Sequence, residues 1–361
     1  MNKLLFSFMG TLLLCVSMCN AQDSLWTSDR PDGHAPISLM GDHFHKKGAL
    51  MFSYRYMAME MEGTLSNSRA VSAVTVFENY MVTPLKMQMN MHMIGAMYAP
   101  TSSFTLAIMG RYMSNTMDLQ TKMGKNFSTS SEGLGDLSIS GLLKLINMNR
   151  QLVLANLGLS LPTGAIDQRA TTPMMENAAL AYPMQLGSGT LDPFFGATYT
   201  GQSNRFSWRL QSKYKFRIGN NSENYSLGNR FDLVGWGAIK ASNNLSFSAS
   251  LSYFNSDKIE GADADLDPMM MPLFKTANSG RSQWDVGMGT NYIFPDKVLE
   301  NLRFSAEIKM AVAQNIGHSN EKQVVGDFWA SICFEPPLEV VNHKKASNYN
   351  SSESLRLVFL Q

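Results

Sequence analysis

Thioethers are the most abundant chemistry-bearing groups in this chain, with 27 methionines against 20 phenylalanines and 6 histidines. The run Met87-Gln88-Met89-Asn90-Met91-His92-Met93 puts Met87, Met89, Met91 and Met93 on one face of an extended segment. Met57, Met59 and Met61 share parity with Arg55, and Met109, Met113 and Met117 share parity with Arg111. Thioether sulfur is a soft ligand suited to Cu(I) and similar ions, and the imidazoles of His43 and His45, just before the first of these segments, would add to it. The competing reading is plainer: methionine is a flexible apolar filler that packs an interior or accommodates greasy solutes. No stretch has the fixed ligand spacing of a known metal site, so packing is the first reading and metal binding the second.

A second set is basic. Over Arg205 to Ile218, Arg205, Arg209, Lys213, Lys215 and Arg217 share one parity, and Phe206, Trp208, Leu210, Tyr214, Phe216 and Ile218 share the other. Basic rings favour anions in pores, while pairing with Asp136, Asp192, Asp232, Asp285 and Glu307 is the alternative use of the same charges. Catalysis has little support. Nucleophile, base and orienting group must come within hydrogen-bond reach, and only His92 of the histidines falls within a well-marked strand. No Gly-rich loop opens a helix, so a protein without enzymatic activity or cofactor is expected.

The elements that must position these groups alternate with period two over ten to fifteen residues. Soluble strands usually run to about 5 to 6 residues, whereas a tilted strand needs about 9 to 11 to cross a bilayer. An arginine on the lipid face costs about 2 to 4 kcal/mol near the midplane. Arg55 and Arg111 are therefore expected in the lumen, together with Met57, Met59, Met109, Met113, Asp136, Arg209, Lys213 and Lys215. About twelve strands are expected, a member of the even series of outer-membrane barrels. They fall near 50–61, 87–98, 103–117, 133–146, 151–161, 189–200, 205–218, 226–241, 245–257, 282–294, 302–316 and 324–334. Tight turns at 99–102, 147–150, 201–204 and 242–244 alternate with long connections at 62–86, 162–188 and 258–281. The pattern is that of an all-β, transmembrane, antiparallel up-and-down β-barrel with both chain ends in the periplasm.

Four parts are expected. Residues 1–21 read as a signal peptide, with an apolar run from Leu4 to Met18 and cleavage after Ala21. Residues 22–49 form a periplasmic N-terminal segment too short for a folded plug domain, 50–334 the barrel, and 335–361 a disordered tail opening at Pro336 and Pro337. Two of the three cysteines leave with the signal, which excludes a disulfide framework. A formal net charge of +1 gives no reason to expect nucleic acid. The expected partners are outer-membrane lipid, a small-molecule solute, and the assembly machinery that reads a final strand such as Phe328, Ala330, Ile332, Phe334. The oligomeric state is left open.

The segments SEGLGDLSISGLLKL (131–145), LPTGAID (161–167) and YPMQLGSGTLDPFFGATYTGQ (182–202) resemble the outer-membrane barrel family named for the meta-pathway of phenol degradation, whose members are labelled as transporters. Residues 34–57 are similar to its Met-rich, Bacteroidetes-type members. Glu132, Gly133, Gly135 and Asp136 correspond to the family's GxGD element, and Gly187, Gly189 and Asp192 to a second Gly-rich element. The resemblance implies a barrel, suggests passage of small, often hydrophobic compounds, and supplies no catalytic residues. The expectation is an outer-membrane channel or transporter for passive passage of small hydrophobic or aromatic molecules. The alternatives are a Met-lined barrel that binds or transports Cu(I) or Ag(I), and a structural or surface-interaction barrel with a closed lumen.

Overall fold

The alternation drives thirteen strands: β1 (Leu50–Glu62), β2 (Val82–Tyr98), β3 (Phe104–Thr121), β4 (Asn126–Leu134), β5 (Leu137–Met148), β6 (Gln151–Leu161), β7 (Asp192–Gln202), β8 (Phe206–Lys215), β9 (Arg230–Lys240), β10 (Leu245–Ser256), β11 (Arg281–Ile293), β12 (Arg303–Ile316) and β13 (Asp327–Glu335). The computed structural model describes residues 25–34, 44–295, 302–316, 322–323, 327–335 and 337–338. Neighbours in the ring pair antiparallel, and β13 bonds both β12 and β1, which closes the sheet. β4 and β5 share one stave: β4 pairs with Tyr112–Gln120 of β3 and β5 with Phe104–Met109. Thirteen strands less that shared place give twelve staves.

Burial along each stave is inverted relative to a water-soluble protein. On β10, Phe247 and Leu251 are about half exposed, while Ser246, Ser248, Ser250 and Ser252 are buried. Leu157, Leu210 and Ile308 likewise point outward on their own strands. A closed sheet satisfies every backbone group internally, and its apolar exterior then suits hydrocarbon. No helix among the described residues is long and apolar enough to cross a membrane, and the crossing is made by strands.

The outward polar residues of β2 find partners on β1. Tyr56 Oη donates to Asn90 Oδ1 at 2.8 Å, Tyr54 Oη lies 2.8 Å from His92 Nδ1, and Lys86 pairs with Glu60 at 2.9 Å. Below this ribbon the exterior turns apolar at Ile94, Leu106 and Ile108. His92 therefore belongs to the outer border of the apolar band, where amphipathic rings are at home.

Boundaries differ from the sequence reading in several places: β2 starts at Val82 rather than 87, β3 runs to Thr121 rather than 117, β7 starts at Asp192 rather than 189, and β9 starts at Arg230 rather than 226. The fourth stave starts at Asn126 rather than 133, and the chain leaves the ladder at Gly135 and Asp136. β8 stops at Lys215, so Phe216 to Ile218 lie beyond it, with Ile218 bridging Leu191. Pairing continues past Phe334, because Pro337 and Leu338 lie opposite Met51 and Leu50. The expected signal peptide, His43 and residues 339–361 lie outside the described residues.

Candidate functional site

The interior is built in layers set by register. Across β1, β2 and β3, Met61, Met87 and Met117 stand side by side, as do Met59, Met89 and Asn115, then Met57, Met91 and Met113, then Arg55, Met93 and Arg111. Met59, Met87, Met91, Met113 and Arg55 are buried, and Met57, Met89, Met93, Met109 and Arg111 are half-buried on the same inward parity. Met109 sits lower, opposite Gly95. The sulfurs do not face an empty bore. The connection 162–191 folds inward, laying Leu180, Ala181 and Met184 on the outer layers and Leu186 on Met91 and Met113.

Asp136 holds that connection in place. At the break between β4 and β5 its carboxylate accepts from the backbone N–H of Gly164 (3.0 Å) and Ser188 (2.9 Å) and from the Ser188 hydroxyl (2.9 Å). Arg111 Nε donates to the carbonyl of Asp136 at 3.2 Å. Gly135 allows this approach, since a Cβ there would lie 2.7 Å from Arg111 Cγ and 3.1 Å from the Leu186 carbonyl oxygen. Asp192, fully buried, accepts from Thr190 Oγ1 at 2.7 Å and pairs with Arg217. Both aspartates thus organise the fold of the loop as well as the charge of the bore.

Facing the methionine layers, β8 turns Arg209, Gln211, Lys213 and Lys215 inward. Lys213 Nζ lies 4.1 Å above the Phe194 ring, and Arg230 binds Asp232 in the next stave at 2.7 Å. Arg111, Lys213 and Arg217 all lie within electrostatic reach of Lys215. The middle of the barrel therefore gathers Arg111, Lys213, Lys215, Arg217 and Arg230 against Asp136, Asp192, Asp232 and Asp285, five positive groups to four negative beside an apolar, sulfur-rich wall.

The periplasmic mouth is occupied by the chain's own N-terminal segment. Residues 25–34, part of the N-terminal segment that precedes the first stave, pack into the barrel's opening. Gln202 clasps the backbone of Thr27 through both amide atoms (3.1 and 2.7 Å), Ser246 Oγ donates to the Pro31 carbonyl (2.8 Å), and Ser207 Oγ to that of Asp32 (2.5 Å). Arg303 donates to the carbonyls of Ser28, Arg30 and Pro31 at 3.0 to 3.2 Å. Arg209 donates to the Gly33 carbonyl and lies over the rings of Trp26 and Trp236. Trp26 rests on the buried Leu152 and Leu154. Arg209 is thus turned inward, and its guanidinium is engaged in seating the segment.

At the outer end, Tyr182 and Tyr225 meet edge to face at 4.8 Å, and the Asp263 N–H donates to Tyr182 Oη at 3.1 Å. Burial pushes both phenols up, so they stay protonated throughout the ordinary pH range.

The metal set read from the sequence is not brought together. His45 lies by Thr105, its N–H reaching that hydroxyl, six residues below Arg111 and so roughly 20 Å from the layer that holds Met93. Met87 to Met93 span several layers of β2. Sequence reasoning also missed Trp26, Asp32, Ser207 and Ser246, and read Arg303 as a basic lumen residue without its role in holding residues 28–31; the mixed Trp, Pro and charge of residues 26–34 was the available signal.

Comparisons with family models and with curated proteins find no match. Among solved structures, an outer membrane channel from Pseudomonas putida F1 is similar at 14% identity and a TM-score of 0.56, with 84% of this chain and 100% of that chain covered. The NanC porin (7% identity, TM-score 0.42, 80% and 100% covered) and a Pseudomonas aeruginosa FadL homologue (8%, 0.39, 88% and 99%) are more distant. The first of these likenesses establishes the fold of an outer-membrane β-barrel.

Proposed function

We propose that this barrel is an outer-membrane channel for passive passage of small organic anions with an apolar body, such as aromatic or branched aliphatic carboxylates. The observation that carries the reading is the two-sided interior: thioethers and aliphatic loop residues on one wall, Lys213, Lys215 and Arg217 on the other, and Arg111 within reach of Lys215 from the methionine side. Basic pore linings favour anions, and methionine adapts to apolar shapes without demanding one of them. The charged groups suit a carboxylate better than a neutral hydrocarbon, which narrows the hydrophobic or aromatic solute expected from the sequence. The similarity to a Pseudomonas outer membrane channel and the resemblance to the phenol-degradation family agree with transport.

Efflux from proteoliposomes preloaded with benzoate, benzyl alcohol or benzylammonium tests the reading, with protein-free liposomes as the baseline. The purified protein should accelerate benzoate most and benzylammonium least. Equal rates for benzoate and benzylammonium, or no rate above protein-free liposomes, would remove the support for an anion path.

A further inference from the structure

We propose that Met61, Met87 and Met117, closed over by Met184 and Met271, form a binding site for a soft monovalent cation, Cu(I) or Ag(I). The first three stand opposite one another on β1, β2 and β3. Adjacent strands lie about 4.7 to 4.9 Å apart, and each thioether sits on a flexible unbranched arm, so three sulfurs can converge on one ion with the backbone fixed. Met184 and Met271 come from two different outer connections and pack into the same cluster. The second connection is tied down beside β2, because the N–H groups of Met81 and Val82 both donate to the Met270 carbonyl, at 3.1 and 2.9 Å.

Two observations separate this place from ordinary packing. Six of the ten buried members of the cluster are methionine: Met59, Met61, Met87, Met117, Met184 and Met271. Leucine fills similar volume with less rotamer entropy to lose, so the concentration of sulfur exceeds what apolar burial requires. The second observation is Asn115, fully buried in the next layer beside Met59 and Met89. Its amide Nδ2 donates to Ser131 Oγ at 3.2 Å, while its Oδ1 has no hydrogen-bond partner among the described residues. A buried carbonyl oxygen without a donor is costly, and a positive charge held in the adjacent layer offsets part of that cost.

Charge selects the outer layer over the inner one. Met57, Met91 and Met113 repeat the three-sulfur arrangement, but Arg55 and Arg111 occupy the layer directly beneath them and repel a cation. The layer next to Met61, Met87 and Met117 is instead the uncharged set Met59, Met89 and Asn115. Thioether ligands without carboxylate or imidazole favour Cu(I) over Zn(II) or Mg(II).

Titration calorimetry of the purified barrel in detergent with Ag(I), and competition with bicinchoninate for Cu(I), test the site. The wild type should show saturable binding of either ion and none of Zn(II) or Mg(II). Met61→Leu/Met87→Leu/Met117→Leu should lose that binding, and Met57→Leu/Met91→Leu/Met113→Leu should keep it, with heat-modifiable migration certifying the fold of each. X-ray absorption of the Cu(I)-loaded wild type, which needs no variant, should show a sulfur-dominated shell. Absence of a saturable site in the wild type, a shell without sulfur, or binding that survives the outer triple substitution would overturn the proposal.

Discussion

The sequence reading separates inward from outward residues on the ground that an arginine on the lipid face costs about 2 to 4 kcal/mol near the midplane. The parity of Arg55 and Arg111 therefore fixed the methionines that travel with them. The role of Asp136 was hidden for the opposite reason: its donors Gly164 and Ser188 lie far along the chain, and nothing local distinguishes a loop anchor from a lumen charge. Asp136→Asn keeps the shape but replaces one acceptor oxygen with a donor, against backbone N–H groups that cannot turn away. Hydrogen bonds to a charged group contribute about 1.5 to 3 kcal/mol, so the loop should loosen by an amount of that order. Limited proteolysis should cut the variant within 162–191 while the staves stay intact, and a digest identical to the wild type would show that Asp136 does not anchor the loop. Face assignment has its own test. In a Cys333→Ser background, cysteines at Arg111 and Lys215 should react with a small water-soluble thiol reagent in membranes, and cysteines at Leu106 and Leu210 should not. Equal labelling of the two pairs would contradict the lumenal placement.

At the scale of elements, strand positions were legible almost throughout, since a stave that meets hydrocarbon on one side and water on the other must alternate. The break between β4 and β5 was not, because the sequence alternates on both sides of Gly135 and reads as one strand. The seated N-terminal segment was equally hidden: its partners Gln202, Ser207, Ser246 and Arg303 belong to strands distant in sequence, and a short polar stretch carries no period. Two arginines contribute a large part of its attachment, beside the bonds from Gln202, Ser207 and Ser246. Arg303→Ala removes the donors to three carbonyls, and Arg209→Ala removes both the Gly33 contact and the cation packed on Trp26. The double variant should become cleavable between residues 25 and 34 and should conduct more ions per barrel than the wild type. Unchanged cleavage together with unchanged conductance would show that neither arginine seats the segment.

The whole molecule combines an apolar exterior, a closed hydrogen-bonded ring and an interior with one sulfur-rich and one basic wall. The closed ring implies a folded form that resists detergent at room temperature and migrates differently on a gel after boiling. A species that behaves as a soluble protein and shows no such shift would contradict the barrel itself. The interior was legible in its ingredients, the methionines and the basic face of β8, but not in its occupancy, because the loop and the N-terminal segment that fill it are placed by contacts across the bore. The most direct test of the channel is the zero-current potential of the purified protein in a planar bilayer separating unequal potassium chloride solutions. The basic middle of the barrel should give a measurable conductance whose zero-current potential has the sign of chloride selectivity, reduced in Lys213→Gln/Lys215→Gln. A barrel that inserts without conductance, or one whose potential has the sign of potassium selectivity, would contradict an anion path through this interior.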